Sequence, residues 1–213
     1  MQKVKIEEIQ KHWNVELKNA EVYAEKEFEG YLEDVNGVAI SHYKGDSERG
    51  IVIKGETIAE NCKVDQILKL FETPDWEVVK SYDKKAKYFK EIERIDSWSI
   101  RHFIFSSPSR FVSERDFILV GHSIHSNEYI GWLSTSIDDY YSFNSNDKSL
   151  VRGTNYFTLF KFYQIDNDVK CTMMVQSNPN GMIPTSLANQ ALHERPNLLF
   201  DVSQYLGKKN RPC

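Results

Sequence analysis

The sequence predicts an α+β fold, a long antiparallel sheet with helices gathered towards the two ends of the chain. Three observations predict it. Between residues 87 and 178 lie successive segments rich in Val, Ile, Phe and Tyr, the composition of strands. Short turns separate them, and short turns impose antiparallel pairing, because parallel neighbours need a long crossover. On either side the apolar period lengthens to that of a helix, at residues 64–71 and again at 187–206.

The elements follow in order. Residues 3–12 carry Val4, Ile6 and Ile9 at a loose helical spacing, and residues 15–28 are polar, helix or coil. Residues 38–43 and 51–57 read as two strands joined by the polar turn Lys44-Gly45-Asp46-Ser47. Val64, Ile67, Leu68 and Phe71 recur at i, i+3, i+4 and i+7, an amphipathic helix. Pro74 ends it or opens a short helix carrying Trp76 and Val79. Strands are expected at 88–95, 98–105, 117–126, 129–137, 150–165 and 170–178. Turns between them fall at Ser106-Ser107-Pro108, Ser126-Asn127, Asn144 to Lys148 and Asp166-Asn167-Asp168. After Asn178-Pro179-Asn180-Gly181, Pro184 stands where a first helical position belongs. From Leu187 through Ala188, Ala191, Leu192, Leu198, Leu199, Val202 and Tyr205 to Leu206 one apolar face continues, which predicts a single helix over 184–206, kinked at Pro196. A curled sheet against such a helix can enclose a filled core or a cavity, and periodicity does not choose between them.

Composition narrows the function. A chain of 213 residues, 40% hydrophobic and 27% charged, buries a core without staples and reads as one soluble globular domain. A net charge of -4 gives no basic face for nucleic acid. No window of about 18 apolar residues would span a bilayer, and the first residues lack the apolar core of a signal peptide. Cys62, Cys171 and Cys213 are odd in number and form no CxxC, so they read as reduced thiols of a cytosolic protein. No P-loop, GxGxxG, GxSxG or HExxH occurs, and His122 and His125, three apart on a strand, face opposite ways. No enzyme activity, cofactor or metal is therefore expected. The 11 Tyr and 12 Phe suit a strand-rich protein, or one that lines an apolar space.

Three stretches, in this order, carry a family resemblance: residues 109–120 around Arg115-Asp116-Phe117, the strand Val151-Arg152-Gly153, and Gln176 to Pro184 around Asn178-Pro179-Asn180-Gly181. Each resembles a segment of the START domains, the steroidogenic-acute-regulatory-related lipid transfer family, and the resemblance covers roughly residues 15–207. It implies one START-like domain over 1–213 with a helix-grip fold, in which a curved antiparallel sheet wraps a long C-terminal helix around a lipid-binding tunnel. It further implies a cytoplasmic monomer, peripheral on membranes, that binds one phospholipid, sphingolipid or sterol and transfers it between membranes through transient contact with their surfaces. The alternative is a lipid-sensing or scaffold module acting through a protein partner. The physics suits a carrier: exposing the about 30 methylenes of a two-chain lipid to water costs ~0.8 kcal/mol each, and an apolar tunnel removes that cost.

Within this frame the lipid-binding residues are Trp98, His102, Arg115, Arg152, Tyr156, Thr158, Met174, Met182, Leu187, Ala191 and Leu198, with Phe111 and Pro196 at the gate. Strand alternation assigns Trp98, Ile100, His102 and Ile104 to the inner face. By the resemblance, sterol carriers have a carboxylate at His102 and an Arg at Gly121, and phosphatidylcholine carriers have an Arg at Glu77, so all three positions depart from the family pattern. Arg115 with Asp116, and Arg152, also read as fold-supporting ion pairs. Tyr156 and Thr158 offer hydroxyls, and Met173, Met174 and Met182 a soft wall. A tunnel without an inward cation favours a neutral or zwitterionic head, because a buried, unpaired anion costs several kcal/mol. An Arg turned inward would reverse that expectation.

Overall fold

The computed structural model describes residues 6–44, 49–107, 109–143, 145 and 147–209. Val4, the turn residues Gly45, Asp46 and Ser47, Pro108, Asn144, Asn146 and Cys213 lie outside them. The chain runs α1 (Ile6–Ala24), β1 (Glu29–Val35), β2 (Val38–Tyr43), β3 (Val52–Ala59), α2 (Val64–Glu72), α3 (Trp76–Tyr82), β4 (Ala86–Ile95), β5 (Trp98–Phe105), β6 (Arg115–His125), β7 (Ile130–Ser136), β8 (Val151–Arg152), β9 (Thr154–Ile165), β10 (Asp168–Asn178), α4 (Thr185–His193) and α5 (Asn197–Lys209). The strands form one curved, open sheet in the order β1-β2-β3-β10-β9-β7-β6-β5-β4, and β8 pairs with β6 from off this path. Every pairing is antiparallel except β6 with β8.

Local chemistry sets the boundaries. The Asn36-Gly37 pair takes positive φ at both residues, which is the turn that closes a two-residue hairpin between twisted strands. Asp96 and Asp166, also at positive φ, turn β4 into β5 and β9 into β10. The backbone N–H of Lys63 donates to Gln66 Oε1 at 2.8 Å as α2 begins. Asp75 Oδ1 accepts from Val78 N–H at 2.9 Å and caps α3. On α2, Val64, Ile67, Leu68 and Phe71 are all buried, as their spacing requires.

Four elements differ from the sequence reading. The first helix runs on to Ala24, because its buried stripe of Ile9, Trp13, Glu16 and Ala20 includes a carboxylate that hydropathy cannot flag; Glu16 is held there by Arg49 at 2.7 Å and by Asn19. Strand β1, Glu29–Val35, is acidic, contains Gly30 and gave no strand signal. The long strand expected over 150–165 divides at Gly153, where a Cβ would stand 2.4 Å from the ring of Phe117. The single kinked helix over 184–206 is two helices. Without an N–H, Pro196 cannot continue the helical ladder, the chain turns at 194–196, and α5 restarts at Asn197.

Both faces of the sheet are covered. Helix α1 lies across the outer face, where Trp13 Nε1 donates to Leu133 O at 3.0 Å and Ile100, Ile118, Val120, Leu133, Phe157 and Met174 form the core beneath it. The inner face packs Trp132, Phe160, Phe162, Met173 and Val175 against α2, α3, α4 and α5. The strands approach closely at Gly131, where a Cβ would lie 2.3 Å from the backbone oxygen of Phe160. Gly131→Ala should therefore lower stability by about 1–3 kcal/mol, seen as an earlier urea midpoint; an unchanged midpoint would mean that β7 and β9 part freely there.

Candidate functional site: a cavity beneath the terminal helices

A cavity of about 200 Å³ lies between the inner face of the sheet and the helices. The sheet contributes Arg101, Phe103 and Phe105 from β5, Phe117 and Leu119 from β6, Trp132 and Ser134 from β7, Thr158 and Phe160 from β9, and Val175 from β10. The helices contribute Phe71, Val79, Tyr82, Ala188, Ala191, Leu192 and Leu198. The wall is mostly aromatic and aliphatic, and Phe71 packs at a tilt against Phe160 with centroids 4.5 Å apart.

Charged groups also line it. Asp83 grips Arg195 through both oxygens at 3.1 and 3.2 Å, which pins the turn between α4 and α5 to the end of α3. Lys85 and Glu194 pair beside it at 2.5 Å. Arg115 donates to the carbonyls of Ser113, Pro179 and Asn180. Arg101, only 4% exposed, lies over the Trp132 ring at 4.5 Å. Its Nε donates to Ser99 Oγ at 2.6 Å and its Nη2 to the carbonyls of Phe71 and Glu72, the last residues of α2. Cations favour a helix C-terminus, so this guanidinium also caps α2.

The three stretches that carry the family resemblance meet at one end of this cavity. Asp116 accepts from Arg152 at both oxygens, Nε to Oδ1 at 3.1 Å and Nη2 to Oδ2 at 2.8 Å, and lies 3.2 Å from His102 Nε2. Arg152 also pairs with Asp138. Asn180 Nδ2 donates to Arg152 O and Thr154 Oγ1, each at 3.0 Å. Arg115 returns two bonds to residues 179 and 180, so β6, β8 and the turn ahead of α4 form one latch. Burial alone would push the Asp116 carboxyl up; the hydrogen bonds from His102 and Arg152 and their charges outweigh it and hold the pKa at about 2.

The residues expected at the site divide. Arg115, Thr158, Ala191 and Leu198 line the cavity. His102 and Trp98 do not, because β5 presents the opposite set inward: His102 faces the latch, between the rings of Tyr88 and Phe143, and Trp98 packs against the tilted His122 ring at 4.1 Å near α1. Arg152 belongs to the latch. Tyr156 sits on the α1 side under the Arg49 guanidinium, and Met174 lies in the same outer core. Met182 is fully exposed, and Leu187 is half-buried on α4 outside the cavity lining. Pro196 is buried against Gly55 of β3, away from the cavity. Phe111 is 83% exposed in the loop between β5 and β6, whose residues Ser106 and Ser107 do reach the cavity. Arg101, Phe71, Tyr82 and Trp132 were not expected there. The one available signal was a cation, Arg101, in the middle of an apolar strand. With Arg101 and Arg115 on the lining, the premise of an interior without cations does not hold.

No protein-family model and no curated protein matches the chain. Solved structures do. Human StAR-related lipid transfer protein 5 superimposes with a TM-score of 0.74 at 17% identity, covering 92% of this chain and 97% of that one. Human STARD10 gives 0.73 at 16% identity, covering 88% and 76%. A STAR-related lipid transfer protein from Xanthomonas axonopodis gives 0.69 at 19% identity, covering 83% and 97%. The curved antiparallel sheet, the terminal helices over its inner face and these superpositions together give the chain the helix-grip fold of the START domains.

Proposed function

We propose that the chain binds one lipid in the cavity beneath α4 and α5 and transfers it between membranes. The observation that carries this reading is an aromatic-walled cavity at the centre of a fold shared with proteins named for lipid transfer. A few polar groups on an otherwise apolar wall are the usual make-up of a ligand site. The volume of about 200 Å³ falls below the roughly 300–1,000 Å³ of such sites, so a two-chain lipid requires the cavity to widen. Helix α4 is the element that can yield: Leu192 is its one buried residue, whereas α5 buries Leu198, Leu199, Val202 and Leu206.

The loop over 106–114 is the natural membrane contact, since it carries exposed Phe111 beside cavity-lining Ser106 and Ser107. Transfer of a fluorescent lipid from donor to acceptor vesicles tests the proposal, with binding measured in parallel. Wild type is expected to accelerate transfer. Phe111→Glu should slow it several-fold and leave equilibrium binding unchanged, because the substitution alters docking and not the cavity wall. Binding without any transfer would replace the carrier reading with that of a lipid-sensing module, and an unchanged rate in Phe111→Glu would make the loop a connector only.

A further inference from the structure

Resting on the reading of the cavity as the ligand site, we propose that its ligand is a single-chain amphiphile with one anionic head, a carboxylate or a phosphate, received by Nη1 of Arg101. A guanidinium has five N–H donors. In Arg101 the Nε bond goes to Ser99 Oγ and the Nη2 bonds go to the carbonyls of Phe71 and Glu72. Nη1, with two donors, has no partner among the described residues, and the side chain lines the cavity. Capping α2 accounts for Nη2, and the bond to Ser99 for Nε. Neither accounts for Nη1, or for a full positive charge at a position that is 4% exposed.

That charge has no carboxylate of its own. Ser99 Oγ, which accepts from Arg101, donates in turn to Glu91 Oε2 at 2.5 Å. Glu91 is already held by Arg94 through Nε at 3.0 Å and Nη2 at 2.5 Å. Two guanidinium groups therefore share one carboxylate, and one positive charge remains uncompensated. Burial pulls the pKa of Arg101 down to about 10, with Tyr82 and Glu91 working the other way, so the group stays charged at neutral pH. The carboxylates elsewhere on the lining are each paired, Asp83 with Arg195 and Glu194 with Lys85, so none stands free to repel an anion. A buried charge without a counter-charge is costly, and an anionic head at Nη1 would remove that cost. The cavity volume fits one chain better than two. Phe103, Phe105, Phe117 and Phe160 supply the apolar wall for that chain.

Calorimetric titration of the full chain with decanoate, decyl phosphate and decan-1-ol tests this. Wild type is expected to bind both anions at least tenfold more tightly than the alcohol. Arg101→Gln should bring the three affinities within about threefold of one another, chiefly by weakening the two anions, and Arg101→Lys should keep part of the preference. Inorganic phosphate alone should compete weakly, since it lacks a chain; if it displaced decanoate at equal concentration, the site would recognise free phosphate and the amphiphile would be overturned as its ligand. Equal affinity of wild type for decanoate and decan-1-ol would overturn the proposal and leave the cavity reading standing. Failure of all three to bind would remove both. The wild-type comparison needs no variant, so it decides even if Arg101→Gln does not fold.

Discussion

Asp116→Ala is expected to destabilise the fold by about 2–4 kcal/mol, because it removes a buried carboxylate from a partly exposed guanidinium that keeps only Asp138 as a counter-charge. The carboxylate is 2% exposed and holds Arg152 at two oxygens beside His102, so its loss leaves a guanidinium without its main counter-charge and undoes the latch between β6, β8 and the turn at 178–181. For a chain of this length the melting temperature should fall by roughly 10 °C. A loss below about 1 kcal/mol would show that Arg152 finds equal company in Asp138 alone. The same group sets a pH dependence. Its folded pKa of about 2 lies below the ordinary value of 3.8, so its contribution is complete above about pH 5 and drains away as the pH falls towards 2. The amount at stake is about 2–3 kcal/mol. Melting curves between pH 5 and pH 2 should fall more steeply for wild type than for Asp116→Asn, which has no such proton to take up.

Thr158→Trp is expected to abolish ligand binding, with a loss of at least about 100-fold, or ~2.7 kcal/mol, while the protein stays folded. Thr158 lies on the sheet side of the cavity, and an indole there would occupy much of the 200 Å³. The fold loses one hydrogen bond, from Thr158 Oγ1 to Asn155 Oδ1 at 3.0 Å, which is worth about 1 kcal/mol. Native mass spectrometry of the purified proteins gives the readout: a co-purified lipid on wild type and none on the variant, with similar melting temperatures. Lipid retained at wild-type level by a folded Thr158→Trp would place the ligand elsewhere on the molecule.

The strands were legible because Val, Ile, Phe and Tyr cluster between turn residues, and β5 was placed at its observed limits, Trp98–Phe105. Which face of β5 looks inward was not legible. Alternation reports a face only when one side meets water, and α1 covers the outer side of this sheet, so residues 99–102 are all buried. Hence alternation assigned Trp98, Ile100, His102 and Ile104 to the inner face, whereas the fold turns Arg101, Phe103 and Phe105 to the cavity. Met173 and Met174 on β10 pose the same problem, both buried and on opposite faces. The motif residues were legible as motifs, and Asp116 and Arg152 as fold-supporting charges, but not in their partners: Asp116 pairs with Arg152, and Arg115 bonds carbonyls instead. The pair Arg115-Asp116 is far in sequence from Arg152 and from Asn180, and only the folded chain shows that the three stretches bind one another. Ala191 and Leu198 were found because they lie on one apolar helix face, and Thr158 because the family resemblance places polar groups on its strand.

The strand order has a consequence for how the chain is made. Strand β3 has β2 on one side, available at once, and β10 on the other. Ile53 must wait for Val175, and Ala59 for Val169. A chain leaving the ribosome N-terminus first therefore presents the β1–β3 meander, with one row of N–H and C=O groups unpaired along Val52 to Ala59, through most of its synthesis. Closing so long a loop slows the final step, and until β10 arrives that edge can pair with any extended neighbour. Nascent chains halted before β10 are thus the species most in need of a chaperone, and chains released after it can seal their own edge.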